Sequence, residues 1–99
     1  MARMKIEGVI EAVRYTPDGG IRLVRTYQRH GAVWSDHVLL GRMELVEQLR
    51  KGKHYVTGTR KQFMGGVFET GPAVRWIDQH VVTEGQAAQR DLLAGVSVF

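Results

Sequence analysis

The hydrophobic pattern of this chain changes its period twice, and the order of these changes limits the folds that it can adopt. Apolar and polar residues alternate with the period of about two that is typical of strands in five segments: 5–15, 21–30, 33–40, 53–63 and 73–83. Over 42–51 the period changes to about 3.6, because Leu45, Val46 and Leu49 share one helical face. The order predicts three strands, one short helix and two more strands.

Glycines mark the breaks between these segments. Gly19 lies in the turn between the first two predicted strands, where a left-handed conformation is needed. Gly52 follows the helix, at the position where a left-handed residue commonly ends one. Gly58 interrupts the fourth predicted strand and indicates a bulge or bend. The segment 64–72 predicts a hairpin loop with Phe68 near its tip.

Three strands, a helix and two strands occur in this order in the OB-fold, a five-stranded, partly open Greek-key barrel. We therefore predict an all-β protein of this class with one short helix between the third and fourth strands. SH3-like barrels and other small β folds with an added helix remain alternatives. The chain has 99 residues, which suits one domain.

The last part of the chain has a different pattern. Thr83 and Gln86 have the spacing of a capping box, which predicts a short helix over 86–94. The last four residues, 96–99, alternate and end in Phe99. We therefore assign an OB-fold domain to 1–83 and a short apolar C-terminal extension to 84–99, which we expect to pack on the barrel or on a neighbouring subunit. Short exposed strand edges and this apolar tail predict a homo-oligomer.

One segment carries a family resemblance. The helix ends in the pattern Leu-x-Lys-Gly at 49–52, and the strand after it contains the apolar pair Tyr55 and Val56 and then Gly58. This combination resembles the helix-to-strand segment of bacterial single-stranded DNA-binding proteins. Trp34 is in the third predicted strand, where that family often has a base-stacking aromatic residue. The resemblance implies a short, divergent or primosomal-type member, whose tail lacks the family's acidic run.

The basic residues are clustered, although the formal net charge is only +4. Two tracts without any acidic residue contain most of these cations: Arg22, Arg25 and Arg29 in the first, and Arg50, Lys51, Lys53, Arg60 and Lys61 in the second. If the fold brings the two tracts together, their positive surface suits a polyanion such as nucleic acid. Two separate solvated faces are the alternative.

Binding of single strands without base specificity needs cations for the phosphates and aromatic rings on which bases stack. The predicted phosphate contacts are Arg22, Arg25, Arg29, Lys53, Arg60, Lys61 and Arg75. The predicted stacking residues are Tyr27, Trp34, Phe63, Phe68 and Trp76. We expect the rings of Tyr27, Trp34 and Phe68 on the surface and that of Tyr55 in the core, whereas Trp76 fits either place.

The sequence contains little that indicates catalysis. It has no cysteine, and its four histidines lack metal-ligand spacing. It has no phosphate-binding loop and no nucleophile elbow, so we expect neither an enzyme nor a cofactor. It has no apolar run of about 20 residues, so we expect no membrane contact and a cytoplasmic location.

The predicted function is sequence-tolerant binding of single-stranded DNA in replication, repair or recombination. Two alternatives remain open at this stage. The first keeps the barrel and replaces DNA by RNA, as in translation factors. The second is a protein-interaction or structural barrel that binds no nucleic acid and whose aromatic residues belong to the core.

Overall fold

Strands account for most of the fold, and one short helix interrupts their order. The computed structural model describes residues 6–31, 33–60, 68–86 and 90–99. The strands are β1 (Gly8–Tyr15), β2 (Ile21–His30), β3 (Val33–Trp34), β4 (Val38–Gly41), β5 (Tyr55–Arg60), β6 (Phe68–Ile77), β7 (His80–Thr83) and β8 (Ser97–Val98). The helix, α1, is Arg42–Arg50 and lies between β4 and β5. The prediction of a mostly β fold with one helix at this place is confirmed.

The strands belong to one sheet that curls into a half-barrel. Its hydrogen-bonded order is β3-β2-β1-β5-β6-β7, and β4 also pairs with β2. β1 pairs in parallel with β5 and with β8, and the other pairs are antiparallel. β1 therefore lies at the centre of the sheet, with partners on both sides.

Bulges shape the two longest pairings. Ile10 pairs with Thr26 but Ala12 pairs with Arg25, so Glu11 is the extra residue on β1. Beside Gly58 the register of β5 and β6 also shifts: Val56 pairs with Ala73 and Gly58 pairs with Thr70, so the extra residue lies on β6 and not on the strand that contains Gly58. A bulge bends its strand and can turn a side chain towards a different neighbour. Glu11 is turned towards the arginine-bearing face of β2, where it pairs with Arg25.

The core lies on the concave side of the sheet, under α1. Ile10, Val13 and Val24 are fully buried there, and Leu45 of α1 packs against them. Tyr55 is 3% exposed, which confirms its predicted place in the core. α1 ends as predicted, because Gly52 has φ +85°, a conformation that costs glycine little.

Two of the predicted strands have different boundaries in the structure. The third splits into β3 and β4, which pair with opposite ends of β2. The fifth is wrong as a single strand: 73–83 reverses at Asp78 and Gln79, which have φ of 50° and 64°. Phe68 does not lie at a loop tip, because it begins β6 and pairs with Arg60.

The C-terminal residues pack on the sheet. Leu93 is 2% exposed in the core, Leu92 bridges to Val82, and β8 pairs with β1. The helix predicted over 86–94 is not found in its described part, because residues 90–94 are extended or turn; 87–89 lie outside the described residues. Backbone pairing with β7 and β1 takes the place of helical hydrogen bonds here.

A buried carboxylate joins this C-terminal segment to three other elements. Asp91 accepts hydrogen bonds from the backbone N–H of Ile21 and of Val81, both at 2.9 Å. Arg42, the first residue of α1, donates to both oxygens of Asp91, at 2.6 and 3.1 Å. Burial raises the pKa of the Asp91 carboxyl, but Arg42 and the two amides outweigh this and hold that pKa below its usual value.

We expect Gly58→Ala to lower the free energy of unfolding by about 2 kcal/mol, as overpacking does. An added Cβ would lie 2.4 Å from the backbone oxygen of Glu69, which cannot move without breaking the β5–β6 pairing. Gly20→Ala is the control, since its Cβ would be 3.4 Å from the Thr16 hydroxyl. Denaturant unfolding measures both. Equal losses in the two variants would contradict the packing argument.

We expect Asp91→Asn to cost about 3 kcal/mol at neutral pH, because it breaks a buried ion pair. The folded-state pKa of Asp91 is depressed, so its contribution is complete above the unfolded pKa of about 3.9 and is lost as the pH falls below it. Denaturant unfolding between about pH 3 and 7 should show that the free energy of unfolding falls less at acid pH in Asp91→Asn than in wild type. Exposed Asp36→Asn should behave like wild type.

Candidate nucleic-acid interface

Three of the predicted aromatic residues meet on one face of the sheet. The rings of Trp34 and Phe68 have centroids 4.7 Å apart, and those of Phe68 and Tyr27 are 5.2 Å apart. β2 provides Tyr27, β3 provides Trp34 and the start of β6 provides Phe68. β6 is distant from β2 and β3 in the chain, and β1 and β5 lie between β2 and β6 in the sheet, so the curl of the sheet brings Phe68 to the other two rings. Such distances are typical of stabilising aromatic pairs.

Arg60 completes this group of rings. Its guanidinium lies 4.8 Å from the centroid of Tyr27 and 5.4 Å from that of Phe68. Within the described parts of the chain it has no carboxylate partner, and its Nε is buried without a hydrogen-bond partner. We call Arg25, Tyr27, Trp34, Arg60 and Phe68 the aromatic–arginine cluster. It combines flat rings with a cation, Arg60, for which the described residues provide no carboxylate partner.

A polar network supports the cluster. The Tyr27 hydroxyl donates to Glu11 at 2.8 Å and lies 2.5 Å from His37 Nε2. Since the only hydroxyl proton goes to Glu11, the His37 nitrogen is the donor in the second contact. His37 Nε2 and Arg25 also lie 3.2 and 3.6 Å from Glu11. Burial, and then the hydrogen bond to Glu11, raise the pKa of Tyr27 to about 12.

The expected surface position of Tyr27 is wrong. The residue is 6% exposed, because Phe68, His37 and Arg60 pack around its ring. Tyr27 therefore packs against the ring of Phe68 and does not offer a free face for a base. Trp34 and Phe68 are partly exposed, so they are the rings of this cluster that remain accessible for stacking.

The other predicted contacts are divided over the surface. Arg29 pairs with Trp34 across β2 and β3 and borders the cluster, although its Nε donates to Gly31. Arg22 is exposed beside the turn at the opposite end of β2. Lys53, Arg75 and Trp76 line a separate groove. Lys61 and Phe63 lie outside the described residues.

Sequence reasoning missed several neighbours of the cluster. The ring of Phe99 lies 4.7 Å from the guanidinium groups of both Arg14 and Arg25. Glu11 and His37 were also missed. Glu11 reaches this face only through the bulge in β1, for which the sequence contains no glycine or proline signal. For Phe99, the alternation of 96–99 was the only available signal.

Comparisons with protein-family models, with curated proteins and with solved structures find no match for this chain. Within the described ranges, no group of three or more His, Asp or Glu residues is placed to hold a metal ion. In the same residues, no helix has both the length and the apolar character needed to span a bilayer.

We expect Tyr27 to ionise near pH 12. The phenolate absorbance is titrated in wild type and in Tyr27→Phe, and the difference between the two curves belongs to Tyr27. Glu11→Gln should lower this pKa, because it removes a carboxylate that opposes the phenolate. The raised pKa also means that Tyr27 stabilises the fold below about pH 10 and loses this effect between about pH 10 and 12. A Tyr27 midpoint near pH 10 in wild type would contradict the buried hydrogen bond.

Proposed function

We propose that this protein binds single-stranded DNA without base specificity, through the aromatic–arginine cluster. The observation that carries the proposal is the position of Arg60, a cation without a carboxylate partner among the described residues, against the rings of Tyr27 and Phe68. Phe68 in turn packs against Trp34. A phosphate needs such a cation, and a base needs an accessible ring beside it. The resemblance of 44–58 to bacterial single-stranded DNA-binding proteins supports the same function.

The proposed fold is a five-stranded barrel of the OB type. In it, β1, β2, β5 and β6 are four of the strands, and β3 with β4 forms the third in chain order. The position of α1 between β4 and β5 supports this fold, as does the curl of the sheet. β7 and β8 are additions to it. In the OB-fold, ligands lie across the second and third strands and the loops that border them, which is where Tyr27 and Trp34 are found.

Trp34 provides the test of binding. The chain has two tryptophans, so Trp76→Phe leaves Trp34 as the only reporter. We expect oligothymidine to quench its fluorescence, with an affinity that falls as salt rises, since phosphate contacts release counterions. Absence of quenching and of a gel shift at micromolar protein in low salt would refute the proposal. Competition between DNA and RNA of one sequence decides which polymer is preferred.

Arg60→Gln is the sharpest variant. It should weaken binding about tenfold and reduce the salt slope by about 0.7, the value for one single-strand phosphate. Arg50→Gln is the matched control, because Arg50 is exposed on α1 away from the cluster. Arg60→Gln should therefore lose affinity where Arg50→Gln does not. Equal affinities for the two variants would show that Arg60 does not contact the strand.

A further inference from the structure

A second aromatic residue lies beside cations at the other end of the β5–β6 pair. Trp76 is partly buried because it packs against the hydrophobic core, and the Arg42 guanidinium lies 5.6 Å from its ring centroid. The same tryptophan lines a groove of about 260 Å³ together with Lys53, His54 and Arg75. We call Lys53, His54, Arg75 and Trp76 the Trp76 groove. Leu49 and Gly52 at the end of α1 form its other wall.

The cations of the Trp76 groove keep donors available for a phosphate. Lys53 lies 3.3 Å from Glu7, and Arg75 lies 3.7 Å from Glu84. Each of these side chains is at least 39% exposed, so both ion pairs are in water, where such pairs are weak. An ammonium has three N–H donors and a guanidinium has five, so one carboxylate does not saturate either group.

The geometry of the sheet relates the groove to the aromatic–arginine cluster. Arg60 and Phe68 pair at one end of β5 and β6, whereas Lys53 precedes β5 and Trp76 is near the end of β6. At a rise of about 3.3 Å per residue, the distance along β5 from Lys53 to Arg60 is roughly 20 Å. About six stacked nucleotides, at 3.4 Å each, span this distance.

We propose that the Trp76 groove is a second contact site for the same nucleic-acid strand, which takes one base against Trp76 and a phosphate at Lys53 and Arg75. The inference rests on the proposed function, since the first contact is the aromatic–arginine cluster. The occupied length, several nucleotides, is within the range of about 4–16 per OB-fold. A free nucleotide has the same chemistry, and the experiment below separates it from a strand.

The two tryptophans allow each site to be followed alone. Trp34→Phe leaves Trp76 as the reporter, and Trp76→Phe leaves Trp34. With oligothymidine of about twelve nucleotides, long enough for both sites, we expect the remaining tryptophan to be quenched in each variant, with saturation at one strand per protein. Circular dichroism confirms that both variants are folded.

The double variant Lys53→Gln and Arg75→Gln tests whether these two cations contact the phosphates of the strand. It should weaken binding of the long oligomer about tenfold and lower its salt slope by about 1.4, the value for two single-strand phosphates. Binding of an oligomer of about three nucleotides, reported by Trp34, should not change, because it fills only the cluster. Arg50→Gln combined with Lys51→Gln on α1 is the matched control and should leave both affinities unchanged.

The outcomes separate this inference from the proposed function. No quenching of Trp34 at any length refutes the proposed function itself. Quenching of Trp34 without any change at Trp76, or equal effects of the groove and control variants, refutes only the second site. If thymidine monophosphate quenches Trp76 at lower concentrations than the long oligomer does, the groove is a site for a free nucleotide, and the proposal that a strand occupies it is wrong.

Discussion

The carboxylate of Asp91 is the contact on which the arrangement of this fold depends. It binds the first residue of β2, the second residue of β7 and the first residue of α1, and so links the C-terminal segment to all three elements. Burying a carboxylate costs several kcal/mol unless it is paired and hydrogen-bonded. Two backbone amides and a bidentate guanidinium meet that condition. The C-terminal segment is therefore part of the barrel's structure, and Leu93 follows Asp91 into the core.

The Trp76 groove is linked to this contact through Arg42. The guanidinium that binds Asp91 also donates to the backbone oxygen of Gln79, in the turn between β6 and β7, and lies over Trp76. It thereby fixes the end of β6 that carries the Trp76 groove. The opposite end of β6 begins with Phe68 in the aromatic–arginine cluster. The β-strand β6 thus connects the two surfaces, and Arg42, which binds Asp91, holds the turn at its end in place.

Local signals were sufficient to predict α1, β2 and the end of α1 at Gly52, because apolar periodicity and glycine conformation are properties of neighbouring residues. They were not sufficient for the turn at Asp78 and Gln79, since a two-residue turn of this kind normally contains glycine. Nor did they identify Asp91, which in the sequence looks like an ordinary acid in the apolar C-terminal extension. Its role, like the burial of Tyr27, comes from residues that are ten or more positions away in the chain.

The fold also changes how much positive surface the two basic tracts produce. They contain no acid along the chain, yet in space Arg25 pairs with Glu11 and Lys53 with Glu7. Clustering in sequence therefore overstated the positive surface, because strands place acids from one segment beside cations from another. Arg60 keeps its charge free of carboxylates in the described structure, and it does so against aromatic rings. In the proposed complex, stacking on Trp34 and Phe68 would contribute about 1–3 kcal/mol per base, in addition to a phosphate contact at Arg60.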